Sequence, residues 1–117
     1  MSSNVKSHSF KTWSNNWTEC ATHEVVLFDS LKEDLINAGI PARIAFNVDG
    51  DAYVIEVESP AGILEIGPGT MTSINGVETL TSRTSGINIY RSSGETVTAD
   101  NASEFETAVM GVILNCH

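Results

Sequence analysis

The chain of 117 residues has little positive charge. Six lysines and arginines stand against fifteen aspartates and glutamates, which gives a formal net charge of −9. Proteins that bind DNA or RNA directly hold the phosphates with lysine and arginine, so this composition argues against direct nucleic-acid binding. A basic surface of a partner protein is the interaction that the charge favours, because opposite charges accelerate encounter.

Long hydrophobic runs are also lacking. A membrane-spanning helix needs about 20 predominantly apolar residues, whereas the longest apolar stretches here are residues 25–28 and 112–114. The first eight residues contain no apolar signal segment. We therefore expect a cytoplasmic protein that does not enter the membrane.

Cysteine is scarce, since only Cys20 and Cys116 are present, too few for a disulfide scaffold. His23 and His117 lie close to them in the sequence. Cysteine and histidine are zinc ligands, so these four residues are the candidate metal site. The competing interpretation is that Cys116 packs in an apolar helix seam and Cys20 is a small helix residue. We predict no metal and no cofactor.

The remaining composition is typical of a globular protein. Hydrophobic residues make up 41% of the chain and charged residues 18%. This length suits one domain that folds without disulfides or a structural metal. Residues 1–15 are mostly polar, with Phe10 and Trp13 as the two aromatic side chains. We therefore predict a polar N-terminal tail over residues 1–15 and a single α+β domain over residues 16–117.

A first helix is predicted after the tail. Apolar residues recur at helical spacing over residues 17–38, and Asn16 with Glu19 fits a capping box, although the helix could begin as late as Thr22. Its end is marked by Gly39, which suits a left-handed C-cap. Ile40 then folds back on the last turn, and Pro41 stops the helix.

From residue 42 the apolar period changes to two, which predicts antiparallel strands. The strands lie at residues 43–48, 53–58, 63–66, 71–74, 77–80 and 86–91, with a short edge strand at 96–98. Asn75-Gly76 favours a type I′ turn, and Gly67-Pro68-Gly69 is interpreted as a strand break.

A second helix closes the sequence. Asp100, Asn101 or Ser103 can cap it, with Ser103 and Glu106 in capping-box relation. Phe105, Val109, Val112 and Cys116 form its apolar seam. Met110 and Leu114 add a second apolar edge, which predicts a homodimer interface at these two residues.

The expected architecture is therefore α+β: an N-terminal helix, an antiparallel meander of five or six short strands and a C-terminal helix. Both helices would cover one face of the sheet and leave the other face in water.

The polar face of the sheet carries the candidate binding residues. Two-residue alternation places Glu56 and Glu58 on one side, where Glu65 joins them and Arg43 lies opposite. The turn with Asp49 and Asp51 adds two acids but lacks the later ligands of a calcium loop. These five acids are the predicted partner-binding residues. The alternative is that they only solubilise the protein. An open, solvated face does not suit paired catalytic carboxylates, so we predict no enzymatic activity.

The function predicted from the sequence is a non-enzymatic inhibitor. Its acidic surface would mask a basic site that normally holds nucleic acid or nucleotide, as a nucleic-acid mimic does. An immunity protein or an anti-defence protein would act in this way. The alternatives are a cytosolic chaperone or homo-oligomeric assembly subunit, and a small ligand-binding protein or metal enzyme with its site at residues 67–70 or at the cysteine and histidine residues.

Overall fold

A computed structural model describes residues 10–20, 23–46, 50, 52–60, 62–83 and 86–114 of the chain. The described elements, in chain order, are α1 (Phe10–Ser14), β1 (Trp17–Cys20), β2 (His23–Val26), α2 (Phe28–Asn37), β3 (Ala42–Phe46), β4 (Tyr53–Ser59), β5 (Gly62–Ile74), β6 (Val77–Ser82), β7 (Ile87–Arg91), β8 (Thr96–Ala99) and α3 (Ala102–Ala108), which continues as a π-helix (Val109–Leu114).

The six strands β3 to β8 form one antiparallel sheet. Its order is β3-β4-β5-β7-β8, and β6 also pairs with β5. Gly69 of β5 pairs with Tyr53 of β4 and with Ser82 of β6. A residue pairs with one neighbour on each edge of its strand, so β4 and β6 lie on opposite edges of β5. β7 also lies on the edge opposite β4, so β6 and β7 share one edge of β5. The α+β class, the antiparallel sheet and the helices near both ends of the chain agree with the sequence prediction.

Alternation along the strands gives the sheet two unlike faces. We call the face that joins the hydrophobic core the inner face and the opposite one the outer face. The inner face contributes Ile55, Val57, Leu64, Ile66, Ile87 and Ile89 to the core. Helices α2 and α3 contribute to the same core through Leu31, Leu35 and Phe105, among others. Burial of these apolar side chains is the main favourable term in folding.

The end of α2 follows the sequence prediction. Gly39 has a positive φ of 88°. Its amide donates to Ile36 O at 2.9 Å, and the Ile40 amide donates to Leu35 O at 2.9 Å. These two bonds define a Schellman motif, which only a residue tolerant of positive φ can complete without strain.

The predicted start of the first helix is wrong. Residues 17–20 and 23–26 form the paired strands β1 and β2, and α2 begins only at Phe28. Asn16 caps no helix, because it lies buried in a turn and its Nδ2 donates to Asp34 Oδ2 at 2.9 Å. The hairpin is held beside β6: the Val26 amide donates to Ser82 Oγ at 2.9 Å, and Leu27 bridges to Thr81. A partner this distant in sequence overrode the local helical spacing.

The predicted break at Gly67-Pro68-Gly69 is also wrong, because β5 runs through it as one strand of 13 residues. The glycines serve close packing here. A Cβ on Gly69 would lie 2.4 Å from the Phe28 ring, and one on Gly67 would lie 3.1 Å from Tyr53 O. The Asn75-Gly76 turn is as predicted, with φ values of 53° and 80°.

At the start of α3 the cap is Asn101, one of the three predicted candidates. Its side chain accepts from the Glu104 amide at 2.9 Å, and Glu104 Oε1 accepts from the Asp100 amide at 2.8 Å. The predicted capping box of Ser103 and Glu106 therefore does not form, because the helix starts at Ala102 and Ser103 already lies inside it.

The N-terminal region contributes to the core. Within the predicted tail, residues 10–14 form α1, and Trp13 is buried with its ring edge-on to Phe105 at a centroid distance of 5.3 Å. Residues 1–9 lie outside the described part of the chain. Among the described helices, none combines the length and apolar character that crossing a membrane requires.

Candidate functional site

Strand register brings the predicted surface residues together on the outer face. Arg43 of β3 pairs with Glu56 of β4, Glu56 pairs with Glu65 of β5, and Glu65 pairs with Tyr90 of β7. Directly paired residues of an antiparallel ladder share a face, with Cβ atoms about 4.5–5.5 Å apart. These four residues therefore form one row across four adjacent strands, which we call the cross-strand row.

An ion pair already engages part of this row. Arg43 Nε donates to Glu56 Oε1 at 2.8 Å, and Arg43 Nη2 lies 2.7 Å from the same oxygen. The guanidinium therefore compensates the Glu56 charge. Glu58 and Glu65 have no ion pair among the described residues, so their charges are not compensated there.

A shallow depression of about 110 Å³ lies beside the row. Its lining residues are Pro41, Ala42, Arg43, Glu56, Glu58 and Ile63. Ile63 pairs directly with Glu58 and is 47% exposed. Apolar surface next to a carboxylate suits lysine or arginine, whose aliphatic stem packs on apolar atoms while its charged head reaches the carboxylate.

The far end of the face is polar but uncharged. Asn88 Nδ2 donates to Tyr90 Oη at 2.9 Å, and Thr98 Oγ1 donates to Asn88 Oδ1 at 2.8 Å. These hydrogen bonds link β7 to β8 and fix the position of the Tyr90 hydroxyl; the Tyr90 side chain is 37% exposed. The sequence alternation placed Asn88 and Tyr90 on one side of β7, but it did not indicate their hydrogen bonds.

One outer-face residue departs from the polar pattern. Val54 pairs with Ala45, which puts it on the outer face, yet only 2% of it is exposed. The β4–β5 register shifts between Tyr53 and Ile55, and a Cβ on Gly67 would lie 3.1 Å from Val54 Cγ1. The backbone of β5 thus lies close against this side chain, and the acidic surface is confined to the part of the face nearer Glu58.

Asp49 and Asp51 lie outside the described residues, so their part in the surface stays a prediction. Gly50 between them has a positive φ of 71°, which suits a turn.

The candidate metal residues are only partly described. Cys20 and His23 face each other across the β1–β2 hairpin and do not lie on a helix, which corrects the helical placement. Cys20 Sγ lies 3.9 Å from Ser73 O. Cys116 and His117 lie outside the described residues. Within the described ranges, no three cysteine, histidine or acidic side chains are grouped closely enough to hold a metal ion.

The predicted oligomer interface is described at one of its two positions. Met110 lies in the π-helix and is 40% exposed, although its neighbours Val109 and Ile113 are buried. The side chain of Leu114 lies outside the described residues. A second acidic region exists on α2, where Asp29, Glu33 and Asp34 line an open cleft. The alternation of residues along strands does not indicate this region, because it lies on a helix.

The chain matches no protein-family model, no curated protein and no solved structure.

Proposed function

We propose that this protein is a non-enzymatic binder whose outer sheet face covers a basic surface of another protein. The observation that carries the proposal is the placement of Glu58 and Glu65, two carboxylates without an ion pair among the described residues. Glu58 lines the depression, and Glu65 belongs to the cross-strand row. A basic surface that normally holds nucleic acid or nucleotide has the complementary charge, so the protein would act as a nucleic-acid mimic in the cytoplasm.

Charge and exposed apolar area support this function together. Binding sites combine a few anchoring side chains with a complementary potential, and tyrosine is a frequent anchor. Here Ile63, which pairs with Glu58, and Tyr90, which pairs with Glu65, are both exposed. The carboxylates would speed encounter, while burial of Ile63 and Tyr90 would slow dissociation.

The proposal is tested by capture of partners from host cells. The test variant carries Glu58→Lys and Glu65→Lys. The matched control carries Glu24→Lys and Glu33→Lys, which change the net charge equally at exposed positions on β2 and α2. We expect a basic protein to be captured at low salt by the native chain and by the control, but not by the test variant.

Salt dependence completes the test. Solvent-exposed charge pairing weakens as ionic strength rises, so capture of the basic protein should decrease at high salt. Equal capture by the native chain and the test variant would refute the proposal.

One observation favours the second candidate, a homo-oligomeric assembly subunit or chaperone. Met110 is exposed on a helix whose other described apolar residues are mostly buried. Under this function the chain would sediment as a dimer, and Met110→Glu would convert it to a monomer. A monomer at all concentrations would exclude it.

A further inference from the structure

Strand β3 lies at an edge of the sheet, and its hydrogen-bonding pattern can be read from one bond. The Glu58 amide donates to Pro41 O at 3.0 Å, which makes Pro41 and Glu58 a hydrogen-bonded pair. Hydrogen-bonded and non-hydrogen-bonded pairs alternate along an antiparallel ladder. The amides and carbonyls of Arg43 and Ala45 are therefore directed to β4.

The groups of the intervening residues point away from the sheet. Ala42, Ile44 and Phe46 occupy the non-hydrogen-bonded positions opposite β4. Among the described residues, no other strand pairs with this side of β3. Within the described part of the chain, Ala42, Ile44 and Phe46 thus present backbone donors and acceptors that no strand uses, the arrangement that accepts an additional strand.

Side chains flank this edge differently on the two faces. On the outer face, Pro41 is followed across the sheet by Glu58 and Ile63, and all three line the depression. On the inner face, Phe46 is 56% exposed and stacks on Tyr53 with ring centroids 4.3 Å apart. The edge therefore offers a carboxylate at one end and an aromatic ring at the other.

We propose that an extended segment of the partner protein adds to β3 as a further, antiparallel strand. Its lysine or arginine would lie opposite Pro41 and reach Glu58, and an apolar residue would lie opposite Phe46, five positions away in the segment. This inference rests on the proposed function and specifies how the basic partner binds.

Geometry and charge favour a basic residue opposite Pro41 and disfavour one opposite Arg43. An added strand would lie about 10 Å from β4, two strand spacings. The basic side chain and Glu58 together span this gap across Pro41, which has no long side chain to obstruct them. A basic residue opposite Arg43 would meet a like charge directly, which is unfavourable. The segment should therefore carry a neutral or acidic residue there.

The edge strand β8, at the opposite end of the strand order from β3, is a poorer acceptor. The Arg91 amide donates to Glu95 O at 2.8 Å, so by the same alternation only Thr96 and Thr98 of β8 point outward. The cleft beside β8 is lined by Val97, Thr98, Ser103, Glu104, Thr107 and Ala108, with one carboxylate among them. The β3 edge has three residues whose backbone groups point outward, against two on β8, and it has both the Glu58 carboxylate and the Phe46 ring beside it.

The test uses the full chain, labelled with ¹⁵N, and capped threonine-rich peptides. One peptide carries valine and, five positions later, lysine; the control peptide has glutamate in place of lysine. NMR titration should shift the amides of Ala42, Ile44 and Phe46 with the lysine peptide. We expect affinity to decrease by about tenfold for the glutamate peptide, because one charge-assisted contact is lost.

Two further variants separate strand addition from attraction by charge alone. N-methylation of the peptide amides that face β3 should weaken binding by about tenfold or more, since main-chain hydrogen bonds are removed. Glu58→Lys should reverse the preference between the two peptides. Both results together would support strand addition.

The contrary outcomes are distinct. Lysine-dependent binding that ignores N-methylation and shifts the amides of Glu65 and Tyr90 would overturn strand addition while leaving the proposed function in place. Absence of lysine-dependent binding would also overturn it, and the capture experiment would then decide the proposed function independently. A dimer that buries the β3 edge in the free protein would assign the edge to a second copy of the chain and overturn the inference.

Discussion

The two faces of the sheet are built by the same strands, yet they differ in almost every physical property. On the inner face, Ile55 and Ile66 pair directly and are fully buried. One residue further along, Glu56 and Glu65 pair on the outer face and are only partly buried. The inner face stabilises the fold by burying apolar area, whereas paired like charges on the outer face contribute nothing favourable to folding.

This difference separates residues that fold the protein from residues available for binding. Substitutions of buried residues in the core that the inner face joins should lower the free energy of unfolding strongly, while substitutions of exposed residues should leave it much less changed. If the outer face behaved like the inner one, its acidic residues would need a structural explanation. The predictions below compare buried residues of that core with exposed residues, and end on the acidic residues of the outer face.

The largest effect is expected for Phe105→Ala. Phe105 is fully buried and its ring contacts Trp13 and Trp17, at centroid distances of 5.3 and 5.9 Å. Truncation of a buried phenylalanine costs about 3–5 kcal/mol. Urea unfolding measures the loss, and Phe46→Ala is the matched control at an exposed position. The control should lose about 1 kcal/mol, the value of an aromatic contact; equal losses would contradict the distinction.

A smaller effect is expected for Gly69→Ala. The new Cβ would lie 2.4 Å from the ring of Phe28, a fully buried side chain that cannot move freely. Overpacking of this kind costs about 1–3 kcal/mol. Gly111→Ala serves as the control, because no atom of the described residues lies within 4 Å of its added Cβ. Thermal unfolding should show a lower Tm for Gly69→Ala alone, and an unchanged Tm would show that β5 and α2 are not closely packed.

The smallest effect on stability is expected for Glu56→Gln. This change removes the ion pair with Arg43, whose side chain is 74% exposed. Exposed pairs contribute about 0–1 kcal/mol, and the loss should disappear at high salt. Glu58→Gln, which removes no ion pair among the described residues, is the control. A loss of several kcal/mol in chemical denaturation would mean that the cross-strand row is part of the folding core.

Local signals predicted much of this fold from the sequence. Gly39 and Ile40 form the predicted Schellman motif, and Asn75-Gly76 forms the predicted turn between β5 and β6. Each of these features is determined by residues within a few positions of one another. Alternation likewise predicted that Glu56 and Glu65 share a face with Arg43, and the strand register confirms that placement.

Long-range contacts account for the errors. Residues 17–26 have apolar spacing that suits a helix, but β2 is held by Ser82, which is 56 residues away from Val26. Gly67 and Gly69 suggest a strand break in the sequence, but they lie within β5 because Phe28 and Tyr53 pack closely against them. The ladder that exposes the backbone of Ile44 and the depression beside Glu58 require the paired strands, so no single-sequence pattern could have indicated them.

The central claim is that the outer face binds a basic partner through charges that folding does not need. The most direct measurement is the dissociation constant of the captured partner over a range of salt concentrations, for the native chain and for the variant with Glu58→Lys and Glu65→Lys. We predict affinity that falls steeply with salt for the native chain, and weak, nearly salt-independent binding for a variant of unchanged stability. Equal affinities with equal salt dependence would contradict the claim.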